Sequence, residues 1–183
     1  MNHKGTQIIH TERLVLRQFV YEDSVKLFDN WASDDEVTKY MNWATRKSVE
    51  EAEVAVQGWV CCYTKNNFYN WAIVTQNDNN PIGFIAVIFC DEKTGTVELG
   101  YCIGKKWWHR GIMAEALKAV IDFMFEEVGV QRIQAKHDTG NPASGRVMQK
   151  CGMQYEGTMR KAEITNNGIC DVSCYAVLAD DIR

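Results

Sequence analysis

With 183 residues, 46% of them hydrophobic and 24% charged, the chain has ordinary globular composition, which excludes a mainly disordered, collagenous or coiled-coil protein. That length suits one domain, expected over residues 1–183, burying roughly 70% of its unfolded surface. Lys and Arg number 20 against 24 Asp and Glu, a formal charge of −4 and a pI near 5.6, so no global field favours nucleic acid or an anionic membrane surface.

Thr11 to Phe19 alternates Leu14 and Leu16 against Val15 and Arg17, which predicts a first strand. A helix is expected from about Asp23 to Ala32, followed by an aromatic loop from Ala32 to Lys47. Ser48 with Glu51 three residues on has the capping-box pattern of a second helix, running through Ala52, Ala55, Val56, Trp59 and Val60 to about Lys65. Tyr69 to Thr75, Pro81 to Cys90 and Thr96 to Ile103 are β-rich runs separated by the turn clusters Asn77 to Asn80 and Asp91 to Gly95, an antiparallel meander.

From Gly111 the period changes. Leu117, Val120, Ile121, Met124, Phe125 and Val128 form one stripe at helical spacing, and Gly129 is a natural stop. Gln131 to His137 reads as a short strand and Asn141 to Cys151 as a short helix, opened by an asparagine beside Pro142 and ended by Gly152. The runs Met153 to Ile164 and Ile169 to Leu178 flank Asn166-Asn167-Gly168, the strongest hairpin signal in the chain. The order β-α-α-β-β-β-α-β-α-β-β describes an α/β chain whose central sheet is mixed and mostly antiparallel, with flanking helices. The strand ending at Ile103 crosses through a helix to run parallel to the strand starting at Gln131. Ligands commonly bind at the carboxyl ends of such strands, near the start of the crossover helix.

That place is held by Gly104 to Leu117, GKKWWHRGIMAEAL. The first N–H groups of the helix are unpaired within it and carry the positive end of its dipole, while Lys105, Lys106, His109 and Arg110 add charge, so a pyrophosphate fits there. A solvated loop explains the same residues, and the GxxxxGK[ST] and GxGxxG fingerprints of nucleotide hydrolases and dehydrogenases are missing.

The segment resembles the pyrophosphate-binding motif of the GNAT superfamily of N-acetyltransferases. Thr11-Glu12-Arg13-Leu14-Val15-Leu16-Arg17 looks like the opening strand of its RimJ/RimL-type branch, which modifies protein N-termini. Glu98-Leu99-Gly100-Tyr101 looks like that branch's fourth strand, and Asn141-Pro142-Ala143-Ser144 with Gln149-Lys150-Cys151-Gly152-Met153 like its late helix and following strand. Trp108 stands where many superfamily members carry Gln or Arg, Met113 replaces a small residue, and Met148 occupies the position often held by a tyrosine acid.

The resemblance implies transfer of acetyl from acetyl-CoA to a primary amine, expected to be a protein N-terminal amine, by direct attack in a ternary complex. A small-molecule acceptor (polyamine, amino acid or antibiotic) and a catalytically silent acyl-CoA-binding module stay open as alternatives. An amine of pKa ~8 to ~10 must first lose a proton. Glu98 is the candidate base, acting through a water, with a solvent-facing strand carboxylate as the bland alternative. Backbone N–H groups around Tyr101, Cys102 and Ile103 are candidates to hold the carbonyl oxygen, and Ser144 to meet the leaving thiolate. Trp108, His109, Arg110, Gly111, Ile112, Met113 and Ala114 would cradle the pyrophosphate. Asn141 would cap its helix and offer its amide to the pantetheine arm, and Lys150 and Arg146 would meet the adenosine 3′-phosphate. Trp31, Tyr40 and Trp43, with Met41, are expected to shape the acceptor pocket beside the acidic run Asp34-Asp35-Glu36; core packing explains the aromatics equally.

The seven cysteines are odd in number and show no CxxC pair, which fits reduced thiols, and catalysis by Cys102 or Cys151 has no adjacent activating His in sequence. The four histidines are scattered without zinc-like spacing, so no metal is expected. The start MNHKGTQ has no apolar signal core and runs such as Pro81 to Cys90 are too short to span a bilayer, so a cytoplasmic protein is expected, a monomer or homodimer.

Overall fold

Leu14 and Leu16 are fully buried while Val15 and Arg17 are half-exposed, the alternation of a strand with one face on the core. In the computed structural model, which describes residues 1–181, that strand belongs to a sheet of eight. The strands are β1 (Ile9–His10), β2 (Leu14–Arg17), β3 (Asn70–Thr75), β4 (Asp78–Asp91), β5 (Thr96–Ile103), β6 (Arg132–Asp138), β7 (Gln154–Thr165) and β8 (Gly168–Leu178). Their order is β1-β2-β3-β4-β5-β6-β8-β7, every pairing antiparallel except β5 with β6. The predicted meander, crossover and final hairpin are present; β1 is an additional strand. Residues 182 and 183 of the expected domain lie outside the described residues.

The helices are α1 (Asp23–Leu27), α2 (Asp35–Thr38), α3 (Val49–Cys62), α4 (Ile112–Phe123) and α5 (Pro142–Lys150). The crossover helix α4 buries Ile112, Met113, Ala116, Leu117, Val120 and Ile121, a stripe at i, i+4 and i+5 spacing, against Leu14, Leu16, Trp71, Ile73, Ile85, Val97 and Leu99 of the sheet. Each fully buried aliphatic side chain contributes roughly 1.5–3 kcal/mol. The last turn widens to π geometry over Met124–Val128 and stops at Gly129, whose φ of 76° is left-handed. On the other sheet face a second cluster joins Phe19, Leu27, Trp31, Val37, Ala52 and Val56 to Ala72 and Cys102.

Four local expectations differ. The first helix is α-helical only to Leu27 and continues as a π turn, Phe28–Ala32, and the aromatic loop contains the short α2, whose N-cap Asp34 accepts the Glu36 N–H at 2.8 Å. Ser48 sits at the start of α3 without a side-chain cap bond, whereas Glu51 reaches back to the N–H of Lys47 at 3.0 Å. Asn141 likewise precedes α5 without capping it through its side chain.

Candidate active site

The parallel strands part in the middle. Their register runs Thr96↔Arg132, Val97↔Ile133 and Glu98↔Gln134 and then ends, although β5 continues to Ile103 and β6 to Asp138. The gap above Glu98 opens toward the carboxyl ends of both strands, as expected for a crossover unit. Gly104 N–H bonds Ile82 O on the β4 side at 2.9 Å, so alternation along β5 turns the backbone groups of Tyr101 and Ile103, beyond the last bridge to β6, into the gap. The Cys102 backbone therefore faces β4, a correction to its expected use as a donor here.

One wall of the gap is the β5–α4 turn. After a 3₁₀ turn over Lys105–Trp107, His109 (φ 60°) and Gly111 (φ 73°) both adopt left-handed conformations, which curl the chain so that successive N–H groups point to one side. His is among the residues that tolerate this region, and glycine enters it freely. No side chain caps α4, so its first N–H groups face outward unpaired within the helix. Trp108 donates its indole N–H to Ile103 O at 2.9 Å, fixing the loop to the strand end. From the far edge of the sheet, Glu115 in the first turn of α4 accepts from Thr11 Oγ1 at 2.6 Å, the Arg13 N–H at 2.9 Å and Arg13 Nε at 2.6 Å, and Arg13 Nη1 donates to Arg110 O at 3.1 Å. The bend between β1 and β2 thus anchors the loop.

This turn borders a cavity of 490 Å³ lined by Tyr101, Cys102, Ile103, Trp108, His109, Gly111, Ile112, Met113 and Ala114, and on the α5 side by Asn141, Ser144, Arg146 and Lys150. Uncapped helix N–H groups at one end and two cations at the other suit a diphosphate with a further phosphate. Met113 does not crowd it: its side chain is buried in the core beneath the sheet. Arg110, expected there, does not line the cavity; its carbonyl accepts from Arg13 Nη1. Lys105 is ion-paired with Glu36, and Asp35 with Lys47 at 3.8 Å, so the acidic run is largely engaged.

A second cavity, 610 Å³, lies on the α1–α3 side of the gap. Trp31, Tyr40, Met41 and Trp43 line it, joined by Trp59, Phe68, Phe84 and, at its polar end, Lys136, Asp138 and Glu163. Trp31 is also fully buried, so its packing and lining roles coincide. Tyr40, Met41, Tyr101, Asn141 and Ser144 border both cavities.

At that junction Tyr101 Oη lies 2.9 Å from Ser144 Oγ and 3.2 Å from Ser144 O. Burial raises the phenol above its ordinary pKa, the Ser144 bond acting in the opposite sense, so it stays protonated. Glu98 is 8% exposed and borders neither cavity. Its carboxylate accepts from Gln134 Nε2 at 2.7 Å and pairs with Lys136 Nζ at 3.2 Å. The same ammonium lies 3.1 Å from Glu163, which does line the larger cavity. Sequence reading missed Glu163, because nothing in the spacing of β7 singles it out. Burial pushes the Cys102 thiol up to about 12 and the Cys151 thiol up to about 11, which removes both as nucleophiles.

Away from the gap, His3, Cys90 and Glu92 converge, their ligand-capable atoms within 4.8 Å of one another, a juxtaposition that the scattered histidines did not suggest. His3 Nε2 is 2.5 Å from Glu92 and its Nδ1 is 3.0 Å from the Tyr69 hydroxyl. Among the described residues no helix is long and apolar enough to cross a membrane.

Residues 13–154 match the acetyltransferase (GNAT) domain family. The chain is 31% identical over 171 residues to YoaA, an uncharacterized N-acetyltransferase of Bacillus subtilis (strain 168), covering 93% of this chain and 96% of the relative. It is 28% identical over 141 residues to the ribosomal-protein-serine acetyltransferase of Escherichia coli (strain K12), covering 76% and 78% respectively. The crystal structure of a GNAT-family acetyltransferase from Bacillus anthracis superposes with a TM-score of 0.83 at 27% identity, covering 95% of this chain and 99% of that one.

Proposed function

Because the chain belongs to the GNAT family of acetyltransferases, we propose that it moves acetyl from acetyl-CoA to the N-terminal amine of a protein. It is an N-acetyltransferase; the co-substrate fit, the acceptor and the residue roles are the proposal. The observation that carries it is the meeting of the two cavities at Tyr101 and Ser144. One cavity offers uncapped helix N–H groups and cations for the phosphates of CoA, and the other an aromatic chamber with carboxylates for an amine. Likeness to the ribosomal-protein-serine acetyltransferase supports a protein acceptor.

Acetyl-CoA supplies the thioester carbon that the amine attacks. The N–H groups of Ile112 to Ala114 take the pyrophosphate, with Trp108, His109 and Gly111 shaping the loop, and Arg146 and Lys150 the 3′-phosphate. The pantetheine arm lies in the gap against Asn141, where the turned-in N–H groups of Tyr101 and Ile103 can hold amide and carbonyl oxygens. Ser144 gives the departing sulfur its hydrogen bond and Tyr101 holds the serine in place. The amine's proton passes to Glu163 on the chamber wall, while Glu98 fixes Lys136 behind it. This divides the role first expected of Glu98 between two carboxylates that share one ammonium.

Calorimetric titration with acetyl-CoA, followed by thiol release with N-terminal peptides and a panel of small amines, tests the reading. Binding with turnover of peptides is expected. Turnover of small amines alone moves the acceptor to a small molecule, binding without turnover indicates a silent module, and no binding overturns the co-substrate assignment.

A further inference from the structure

Asn70 is the polar residue at the start of β3, a strand otherwise made of Trp71, Ala72, Ile73, Val74 and Thr75. It is 3% exposed and lines the aromatic chamber. Its backbone is fully engaged by side chains: the N–H donates to Thr6 Oγ1 at 3.0 Å, and the C=O accepts from the Tyr63 hydroxyl at 2.7 Å. Its side chain is not. Asn70 Oδ1 is a buried polar atom with no hydrogen-bond partner among the described residues. Native proteins leave few such atoms, since each forfeits its hydrogen bond to water without replacing it, and an isosteric leucine would avoid the penalty.

The register shows what the amide faces. Asn70 pairs with Ala86, and Ala86 with Gly100, so the three residues form one rung across β3, β4 and β5 with their side chains on the same face. All three line the chamber, and the two after Asn70 are small. Gly100 is next to Tyr101 at the junction of the cavities. Two strand spacings separate the ends of the rung, about 10 Å, and an extended peptide covers that distance in about three residues. Trp59, Phe68 and Phe84 also line the chamber. A half-turn of the amide exchanges its oxygen and nitrogen, so it can meet either a donor or an acceptor.

We infer that Asn70 recognises the acceptor: its side-chain amide hydrogen-bonds a backbone peptide group two to three residues beyond the amine that is acetylated. This rests on the protein N-terminal reading above. The orphaned oxygen is the half of the contact that the protein supplies, and the peptide N–H the half that it awaits.

The test uses five-residue peptide acceptors and their ester analogues, in which one backbone N–H at a time is replaced by oxygen, with the native enzyme and Asn70→Leu. For the native enzyme, the ester at one position among residues 2 to 4 is expected to raise the acceptor KM about tenfold. Asn70→Leu is expected to raise the KM of the parent peptide by the same factor, with little change in kcat, and to be indifferent to that ester. Acetyl-CoA affinity stays the same and the melting temperature does not fall, because an unpaired polar atom has been removed. Asn70→Ala repeats the series should the leucine not fold. An unchanged peptide KM in either folded variant, or the same ester cost in native and variant enzymes, overturns the inference. A native enzyme that acetylates no peptide fails at the earlier step, and is distinguished from a native enzyme that acetylates peptides irrespective of Asn70.

Discussion

The Tyr101 hydroxyl and the Ser144 hydroxyl meet at 2.9 Å where the two cavities join, one from the splayed end of β5 and the other from the first turn of α5. Because burial keeps the phenol protonated, it can donate to Ser144 Oγ and leave the serine proton directed at a departing thiolate. Ser144→Ala is expected to lower kcat by 10²-fold or more, on the scale of a lost proton donor, with acetyl-CoA affinity kept. Tyr101→Phe keeps the ring in place and loses only the contact that orients the serine, so its kcat falls about tenfold. Tyr101→Phe in the Ser144→Ala background then costs little more, and a full multiplicative loss in the double variant would separate the two residues.

Glu163 and Glu98 divide Lys136 between them at 3.1 and 3.2 Å, but only Glu163 borders the aromatic chamber. Glu163→Gln is expected to lower kcat/KM by about 10²-fold, most severely at low pH, where the amine is protonated and the carboxylate has most to do. Glu98→Gln keeps the hydrogen-bonding shape beside Gln134 and should cost only a few-fold. Rate profiles across pH 6 to 10 for both variants check this. The reverse ranking would return the proton to Glu98, acting through a water.

The crossover and the hairpin were legible because their signals are local. The stripe from Ile112 to Ile121, the stop at Gly129 and Asn166-Asn167-Gly168 each specify backbone geometry within a few residues. The β5–α4 turn was legible for the same reason, down to Gly111. What escaped depends on register. Glu163 reaches the chamber after a shift in β7–β8 pairing between Met159 and Glu163, where Lys161 takes a φ of 48°, and no alternation in β7 announces it. Asn70 sits in an apolar run whose composition predicts burial and says nothing of an unpaired amide. The Thr11–Arg13–Glu115 contacts join positions more than a hundred residues apart, so that the TERLVLR segment supports the loop through bonds that sequence spacing does not show.

Those contacts give a pH prediction. Burial pushes the Glu115 carboxyl up, but hydrogen bonds from Thr11 and Arg13 and the charge of Arg13 outweigh it, leaving the group below its ordinary value of 4.5. A lowered folded-state pKa contributes stability that is present above the unfolded value and disappears as pH falls through the folded one. Arg13 is half-exposed, so solvent screens the pair and about 1 kcal/mol is the scale to expect. Glu115→Gln should melt about 2–4 °C lower at pH 7. The difference should narrow as pH falls below 4.5 and the native carboxyl takes up its proton. A gap that persists to the lowest pH at which both proteins stay folded would assign the loss to packing rather than charge.

Gly111 separates backbone conformation from crowding at the β5–α4 turn. A Cβ there would meet only Arg13 Nη2, at 3.6 Å, an ordinary contact, so space does not require glycine; the φ of 73° does. Substitution therefore follows tolerance of the left-handed region, with asparagine the mildest, alanine intermediate and β-branched valine the worst, at roughly 1–3 kcal/mol of strain. A loop that relieves this strain rotates its N–H groups away from the pyrophosphate. Acetyl-CoA affinity is expected to fall in the order Gly111, Gly111→Asn, Gly111→Ala, Gly111→Val, by about tenfold or more at the last step, while the acceptor KM at saturating acetyl-CoA changes little. Isothermal titration of the four proteins checks the order. If Gly111→Asn bound as weakly as Gly111→Val, side-chain bulk over the phosphates would be the cause, and if all four bound alike, the pyrophosphate would lie elsewhere than at the start of α4.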